Sequence, residues 1–269
     1  MKTETRTLHV IKCSPSGNIT ALVFTPVERK FHARISQEIM RSQPDVEQVG
    51  FIESAGDPAA LGRLQMMGGE FCGNAASAYF SILSRQRHIL KALIEVSGKT
   101  APLQAALVGD SVELKLSERI DIRKSTVPGS TAVVVMEGIT HLLCEMPVPE
   151  DEKTSAADLL LANKLLDLPA AGVIFFSQTG QEVHITPVVW VKETRSLVCE
   201  SACASGTMAL AVWMNRRKAY PDQAINVSQP GGAVISVYAE QGANGQVEIT
   251  MQSRVTLLDE TDLKIDLEP

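Results

Sequence analysis

The sequence predicts a mixed α/β (α+β) protein built from two similar halves. Four segments have the apolar spacing of helices, and most of the remaining chain reads as short strands between turn residues. Two of the predicted helices begin in the same way, with a cysteine, then small residues, then a long apolar run, at Cys72 and Cys203. These cysteines are 131 residues apart in a chain of 269, so we expect an internal pseudo-repeat with one cysteine-led helix in each half.

The first half is predicted to alternate strands with two helices. Apolar residues that alternate between Gly, Pro, Asn and Asp turns predict strands, and Gly109-Asp110 predicts a hairpin turn. Ile35, Ile39 and Met40 would share one side of a helix. The predicted strands are residues 7–12, 19–25, 48–53, 63–67, 91–97, 104–108 and 111–116, and the predicted helices are residues 32–42 and 74–88.

The order of elements begins again after residues 128–130, a Pro-Gly-Ser sequence that breaks the apolar pattern. We therefore predict two domains, one formed by residues 1–126 with the C-terminal tail 256–269, and one formed by residues 127–255. The predicted strands of the second half are residues 132–136, 141–146, 172–177, 182–190, 196–198, 233–240 and 246–252, and its predicted helices are residues 155–166, capped by Ser155, and 205–218.

Composition narrows the class of protein. With 45% hydrophobic and 21% charged residues the chain has an ordinary globular composition, and its net charge of −6 argues against a nucleic-acid partner. The N-terminal segment lacks the apolar core of a signal peptide, and no run is long enough to span a membrane. The five cysteines follow no disulfide spacing. We therefore expect a cytoplasmic protein that keeps free thiols, binds a small molecule and is compatible with a homodimer.

The two cysteine motifs share a chemical consequence. Each cysteine is predicted at a helix N-terminus, where Asn74 in the first motif, and Ser205 or Thr207 in the second, are the expected capping residues. Unpaired N–H groups and the positive end of the helix dipole favour negative charge at that position. We therefore expect both thiols to have lowered pKa values, and the same N–H groups to hold a carboxylate.

Two such thiols suit the racemisation of an α-amino acid. This reaction removes the Cα proton from one face and returns a proton to the other, so it is simplest with two bases on opposite faces, one of them protonated. Cys72 and Cys203 are the candidates for this pair, and Gly73 and Gly206 would allow the backbone to approach a substrate closely. The alternative is that both cysteines pack as small hydrophobic residues at helix starts.

The motifs resemble those of a known family. Cys-Gly-Asn-Ala at residues 72–75 and Ala-Cys-Ala-Ser-Gly-Thr at residues 202–207 resemble the two signature motifs of the diaminopimelate epimerase fold, a family of cofactor-independent amino-acid racemases and epimerases. Pro-Ser-Gly-Asn at residues 15–18 resembles the family's N-terminal substrate loop. The segments that look closest to one branch, the histidine racemases of staphylopine-type metallophore biosynthesis, are residues 47–54, 70–75 and 229–232.

The resemblance implies two pseudo-symmetric domains, each a mixed sheet wrapped around a central helix, with the active site in the cleft between them. It implies that Cys72 and Cys203 are catalytic and that neither a cofactor nor a metal is needed. Glu200 falls where the family binds the α-amino group of the substrate. The other residues expected at the substrate are Asn18, Glu47, Gly73, Asn74, Ser205, Gly206 and Thr207.

Two positions depart from the diaminopimelate epimerases. That family has an arginine for the distal carboxylate of its substrate where this sequence has Ser201, so such a substrate would lose a charge-assisted partner. The family's Gly-Asn-Pro-His segment reads Gly-Ile-Thr-His at residues 138–141, without the asparagine. We therefore expect a substrate whose side chain is neutral or weakly basic. By the resemblance to the histidine racemases, Glu47 would hydrogen-bond an imidazole N–H.

The prediction is a cofactor-independent racemase of L- and D-histidine with a two-base thiol mechanism. The alternatives are diaminopimelate epimerase itself, a racemase of another amino acid, and, in a different class, an inactive amino-acid-binding or thiol redox relative. Cys199 and Cys203 are four residues apart, but no further ligand completes a metal site. Cys13 and Cys144 are expected in the core or in loops, and His141 has no partner that the sequence reveals.

Overall fold

The computed structural model describes residues 4–217 and 223–267, which form four α-helices and sixteen β-strands. The helices are α1 (His32–Ser42), α2 (Gly73–Arg87), α3 (Glu152–Ala162) and α4 (Ala204–Arg216). The strands are β1 (Glu4–Pro15), β2 (Thr20–Val23), β3 (Gln48–Glu53), β4 (Ala60–Met66), β5 (Lys91–Val96), β6 (Leu103–Val108), β7 (Ser111–Glu118), β8 (Asp121–Lys124), β9 (Ala132–Met136), β10 (Ile139–Glu145), β11 (Ala170–Thr179), β12 (Glu182–Val191), β13 (Ser196–Cys199), β14 (Ile225–Ser228), β15 (Val234–Gln241) and β16 (Val247–Leu267).

All four predicted helices are present, and α1 has the predicted bounds. Helix α3 begins three residues earlier than predicted, because Asp151 is its N-cap and accepts a hydrogen bond from the Thr154 N–H at 2.9 Å. The prediction that Ser155 caps this helix is therefore wrong, and a carboxylate at the helix start is the better cap here because it also complements the helix dipole. The predicted end of α4 near Lys218 lies outside the described residues.

The sequence did not predict β8, β14 or the full length of β16. Strands β8 and β14 have four residues each. Strand β16 continues to Leu267, well beyond the predicted end at Gln252, and carries many charged residues on its exposed side. Its length comes from pairing with β1, which is far away in sequence.

All sixteen strands belong to one hydrogen-bonded sheet within the described residues. Strands β1 to β7 pair in sequence order, and β16, β15, β14, β12, β11, β10, β9 and β8 follow, with β13 paired to β12. Four pairs are parallel: β2 with β3, β4 with β5, β10 with β11, and β12 with β14. Parallel neighbours need a crossover connection, and each of the four helices lies in one of these crossovers.

Strand β16 joins the two parts of this sheet. Its first eight residues, Val247–Arg254, pair with β7, and Val247–Gln252 also pair with β15. The remainder, Val255–Leu267, pairs antiparallel with β1. Strands β1 to β7 and β16 therefore form a closed ladder, in which each strand is hydrogen-bonded to the next and β16 is hydrogen-bonded to β1.

Helices α2 and α4 are buried over most of their length, along Gly73–Ser84 and Ala204–Met214. Helix α2 contacts seven strands of the closed ladder, and α4 contacts β9, β10, β15 and β16. The two helices also contact each other. Both are rich in alanine and other small or apolar residues, and their buried segments have no exposed side, as expected of helices surrounded by protein. In the part of the chain that the structure describes, no helix is long and apolar enough to cross a membrane.

Gly98 lies at a close contact between two turns. Its φ is +74°, and a Cβ built there would be 2.5 Å from the backbone nitrogen of Phe71 and 2.9 Å from the Cα of Gly138. Gly109 has a similar φ of +63° but open space around it. Both alanine substitutions incur left-handed strain, and only one creates a clash. We expect Gly98→Ala to lower the free energy of unfolding by about 1–3 kcal/mol more than Gly109→Ala in urea titrations. Equal losses would contradict the close contact.

Candidate active site

Cys72 is itself the N-cap of α2. Its backbone is extended, with φ −131° and ψ 111°, and its sulfur accepts a hydrogen bond from the Ala75 N–H at 3.4 Å. The thiol donates to Gln48 Oε1 at 2.9 Å. The expected cap, Asn74, lies in the first turn and donates its Nδ2 to the Ala202 carbonyl at 2.7 Å. The prediction of Asn74 as the cap is therefore wrong, because the sulfur already occupies the capping position.

Cys203 caps α4 in the same way. Its φ is −135° and its ψ is 102°, and its sulfur accepts a hydrogen bond from the Gly206 N–H at 3.4 Å. Ser205 Oγ lies 3.6 Å from the sulfur, and Thr207 Oγ1 donates to the Cys203 carbonyl at 2.7 Å. The prediction that Ser205 or Thr207 caps this helix is therefore wrong, since both residues lie inside it.

Burial dominates the acidity of both thiols. It raises the pKa of Cys72 above its ordinary value, and the nearby Glu200 carboxylate raises it further, while the N–H of Ala75 acts in the opposite direction. Burial and Glu200 likewise raise the pKa of Cys203, against the effect of the Gly206 N–H. The expectation that the helix N-termini lower both pKa values is therefore wrong for the free protein, because lost hydration of the thiolate outweighs the N–H groups.

The N-termini of α2 and α4 abut each other. A Cβ on Gly73 would lie 2.8 Å from the Cβ of Ala204, the first residue of α4. A Cβ on Gly206 would lie 2.4 Å from Ile174 Cδ1 and 3.2 Å from the Cys203 sulfur. These two glycines therefore allow the helix starts to pack closely against each other and against the sheet.

A small cavity of about 20 Å³ lies beside these helix starts. Cys72 and Cys203 both line it, although they come from different halves of the sequence. Among the other predicted site residues, Glu47, Asn74, Glu200 and Ser205 also line it. The predicted residues that do not line it are Asn18, Gly73, Gly206 and Thr207.

Glu47 bridges segments that are distant in sequence. Its Oε2 accepts hydrogen bonds from the Ser201 N–H and from Asn18 Nδ2, both at 2.8 Å, and the Ile19 N–H lies 3.4 Å from its Oε1. Burial raises the pKa of Glu47, and the hydrogen bonds from Ser201 oppose that rise. Asn18 lies behind this carboxylate, where it also accepts from Gln48 Nε2 at 2.6 Å. Asn18 thus supports a residue of the cavity wall but does not line the cavity itself.

Thr207 and Gln229 support Cys203 from behind. Gln229 Oε1 accepts a hydrogen bond from the Cys203 N–H at 3.0 Å, and its Nε2 donates to Thr207 Oγ1 at 3.1 Å. Both side chains are buried. Together with the Thr207 bond to the Cys203 carbonyl, these contacts fix the backbone of the cysteine on both sides.

Glu200 and Glu70 are buried carboxyl groups on the cavity wall. Burial raises the pKa of Glu200 to about 8, with added repulsion from Glu47 and Glu70, while a hydrogen bond with the Cys203 thiol opposes the rise. Burial also raises the pKa of Glu70 to about 7, against hydrogen bonds from its own N–H and from the Gly68 N–H. Both groups can therefore exchange protons near neutral pH.

His141 is fully buried next to this site. Its Nε2 lies 3.0 Å from Ser205 Oγ, while its Nδ1 has no partner among the described residues. Burial and the charge of Lys99 lower the pKa of His141 to about 3, so the ring is neutral. It holds Ser205 in place and does not line the cavity.

Sequence reasoning missed Glu70 and Gln48. Residues two apart in an extended chain share a face, and Glu70 precedes the extended Cys72 by two positions, so this spacing was an available signal. Gln48 begins β3 and accepts the Cys72 thiol proton in a hydrogen bond, a contact over 24 positions that carries no local signal.

The other cysteines lie outside the cavity. Cys13 and Cys144 are buried, and burial raises the pKa of each to about 12. Cys199 ends β13, one residue beyond the predicted end of that strand, and burial raises its pKa to about 11. No group of three or more His, Cys, Asp or Glu side chains within residues 4–217 and 223–267 is arranged to hold a metal ion.

Comparison with known proteins adds independent information. Residues 7–262 match the family model described as "Histidine racemase CntK N-terminal domain". A histidine racemase of Fusobacterium nucleatum is 32% identical over 95% of this chain and 99% of its own length. A histidine racemase of Staphylococcus aureus is 28% identical over 83% of this chain and 86% of its own. The fold is similar to that of a hydroxyproline epimerase from Agrobacterium vitis, with a TM-score of 0.69 at 13% identity over 97% and 93% of the two chains.

Proposed function

The chain belongs to the histidine racemase family and is an amino-acid racemase, and on that premise we propose that it interconverts L- and D-histidine without a cofactor. The observation that carries this proposal is that Cys72 and Cys203, each at the start of a buried helix, line one cavity. Relatives named histidine racemases support the choice of substrate.

In the proposed mechanism the two thiols act as opposed bases. One cysteine, as thiolate, takes the Cα proton from one face of the amino acid, and the other, as thiol, gives its proton to the opposite face. The product enantiomer forms and the two sulfurs exchange protonation states, so atoms and charge balance without any further reactant. Cys72 and Cys203 would serve opposite enantiomers, and each would act as acid or base according to the direction of the reaction.

The raised pKa of each free thiol requires a partner that takes its proton. For Cys203 we propose Glu200, because its carboxylate hydrogen-bonds that thiol and can hold a proton near neutral pH. For the substrate α-amino group we propose two hydrogen-bond acceptors. One is the carbonyl oxygen that Glu200 keeps after it takes the thiol proton, and the other is Asn74 Oδ1, which is buried on the cavity wall and has no partner among the described residues. Glu47 would face the imidazole side chain from the same wall.

The carbanion formed at Cα is stabilised when its carboxylate accepts hydrogen bonds from fixed N–H groups. We propose that Gly73, Asn74 and Ser205, in the first turns of α2 and α4, supply these N–H groups. Gly206 and Thr207 would act through Cys203, since they bond its sulfur and its carbonyl. Asn18 would likewise act indirectly, because it hydrogen-bonds the Glu47 carboxylate and positions it.

We also propose that residues 1–126 with 256–269, and residues 127–255, are two pseudo-symmetric domains with this site in the cleft between them. The arrangement of the crossovers supports this division. Each proposed domain would hold two parallel strand pairs, one crossed by a peripheral helix and one by a cysteine-led helix. Strand β16 would then connect the domains covalently, because it runs across residues 255 and 256, and by hydrogen bonds, because it pairs with both β7 and β15.

Proton exchange in deuterated buffer tests the proposed function. With reductant present, we expect L-histidine to lose its Cα–H signal in proton NMR and its optical rotation together. Diaminopimelate, L-alanine and L-lysine, incubated in parallel, are expected to exchange far more slowly. Faster exchange with any of them than with histidine, or no exchange with histidine, would reject histidine as the substrate.

A further inference from the structure

The cavity offers an excess of hydrogen-bond acceptors. Three carboxyl groups line it, Glu47, Glu70 and Glu200, and none of the described residues on its wall is Lys, Arg or His. The buried Asn74 Oδ1, on the same wall, also lacks a donor among the described residues. Burying carboxylates without a cation is costly, so the wall suits a ligand that brings positive charge and several N–H groups.

The three carboxyl groups differ in the hydrogen bonds that they already accept from the protein. Glu47 accepts hydrogen bonds from Asn18 and from the Ser201 and Ile19 backbone, and Glu200 bonds the Cys203 thiol. Among the described residues, Glu70 receives only backbone N–H groups, its own and that of Gly68 at 2.9 Å.

No Lys, Arg or His within residues 4–217 and 223–267 forms an ion pair with Glu70. The side chain is 4% exposed. Glu70 is therefore a buried carboxylate on the cavity wall that has no cation among the described residues and no role in the proposed proton transfer.

A surface made mainly of valine side chains adjoins Glu70. Strands β12 and β13 pair Val189 with Val198 and Val191 with Ser196, and these four side chains line the cavity. The position of a Cβ on Gly68 lies 2.4 Å from Val191 Cγ1 and 2.9 Å from Glu70 Oε2, which places Val191 directly beside the carboxylate. An aromatic ring can lie on such a surface while an N–H at its edge meets the acid.

We propose that Glu70 is the specificity-determining residue for the side chain, and that it binds the imidazole of histidine as the imidazolium cation, with the ring lying on the valine surface. This inference rests on the proposed function, and it adds a second carboxylate to Glu47 for the two ring nitrogens. The proton that makes the ring a cation comes from solvent or from Glu70 itself, since both groups titrate near neutral pH. In the complex Glu70 is ionised, the imidazole ring is protonated, and no covalent bond forms.

The test compares Glu70→Gln with Glu193→Gln. Glutamine keeps the shape of Glu70 and removes its charge, and Glu193 is an exposed residue near Gly68 that serves as the matched loss of charge outside the cavity. We expect Glu70→Gln to reduce kcat/KM for L-histidine by about 10- to 100-fold, mainly through KM, and Glu193→Gln to remain within about twofold of wild type. Equal values for the two variants would overturn the inference.

A second measurement needs no variant. Nitrogen NMR of ring-labelled histidine distinguishes imidazolium from the neutral tautomers, so the ring bound to an excess of the wild-type protein at pH 7.5 should report two protonated nitrogens. The Glu70→Gln complex should report a neutral ring. A neutral ring in the wild-type complex would overturn the inference even though histidine binds. Failure of the wild-type protein to bind or racemise histidine would instead reject the proposed function.

Discussion

Cys72→Ser and Cys203→Ser are each expected to slow histidine racemisation by about 10²–10⁴-fold, the usual contribution of a positioned acid or base. A serine hydroxyl has nearly the size of the thiol but gives up its proton far less readily, so each variant keeps one working base. Racemisation needs an acid or base on both faces of Cα, so it should be slowed in both variants.

Exchange should separate the two cysteines more sharply than racemisation does. A variant with one thiol can still remove the Cα proton from the enantiomer that presents it to that thiol, and can return deuterium to the same face. We expect one variant to exchange the Cα proton of L-histidine for deuterium and the other to exchange that of D-histidine, each with retention of configuration. Proton NMR with chiral chromatography measures both quantities, and the pairing assigns each sulfur to a face.

Cys199→Ser is the matched control for this prediction. Cys199 lies four residues before Cys203 at the end of β13 and does not line the cavity. It should retain wild-type racemisation. If Cys72→Ser or Cys203→Ser retained it as well, the two-base mechanism would be wrong, whatever the substrate.

The helices that carry the site could be predicted from the sequence because their signals are local. The segments after Cys72 and Cys203 are long runs of small and apolar residues without a charged face, a pattern that is typical of a buried helix. The two cysteines were therefore placed correctly at helix starts. The cap itself was misassigned because sulfur is a weak acceptor, and caps are ordinarily oxygen-bearing side chains.

The remaining properties of the site depend on contacts between distant segments. The Ser201 N–H meets Glu47 across 154 positions of sequence, and nothing in either segment specifies the other. The direction of the thiol pKa shift was mispredicted for the same reason, since the helix start is a local feature and burial is not. The pairing of β1 with β16 likewise joins the two ends of the chain, which local periodicity does not reveal.

Lys99→Met is expected to lower the free energy of unfolding by about 3–5 kcal/mol, because it leaves a buried carboxylate without its cation. Lys99 Nζ lies 2.6 Å from Glu118 Oε1, and the two side chains are only 3% and 2% exposed. Lys99 Nζ also lies 4.1 Å from the centre of the Phe71 ring, and Glu118 Oε2 accepts the Glu137 N–H at 2.7 Å. The pair thus connects the turn before β6 with the turn before β10, and Lys99 also packs on Phe71, the residue before Cys72.

A second variant separates the lost charge from lost packing. In Lys99→Met/Glu118→Gln no charge is buried, and the amide oxygen can still accept the Glu137 N–H, so urea titrations should show most of the stability restored. The matched control is Lys115→Met. It breaks the ion pair between Lys115 and Glu113 at the surface, where Lys115 is 53% exposed, and it should lower the free energy of unfolding by less than about 1 kcal/mol. A loss for Lys99→Met as small as that of Lys115→Met would show that Glu118 finds water or another donor once Lys99 is gone. A double variant no more stable than Lys99→Met would show that packing on Phe71, and not the ion pair, holds the two turns together.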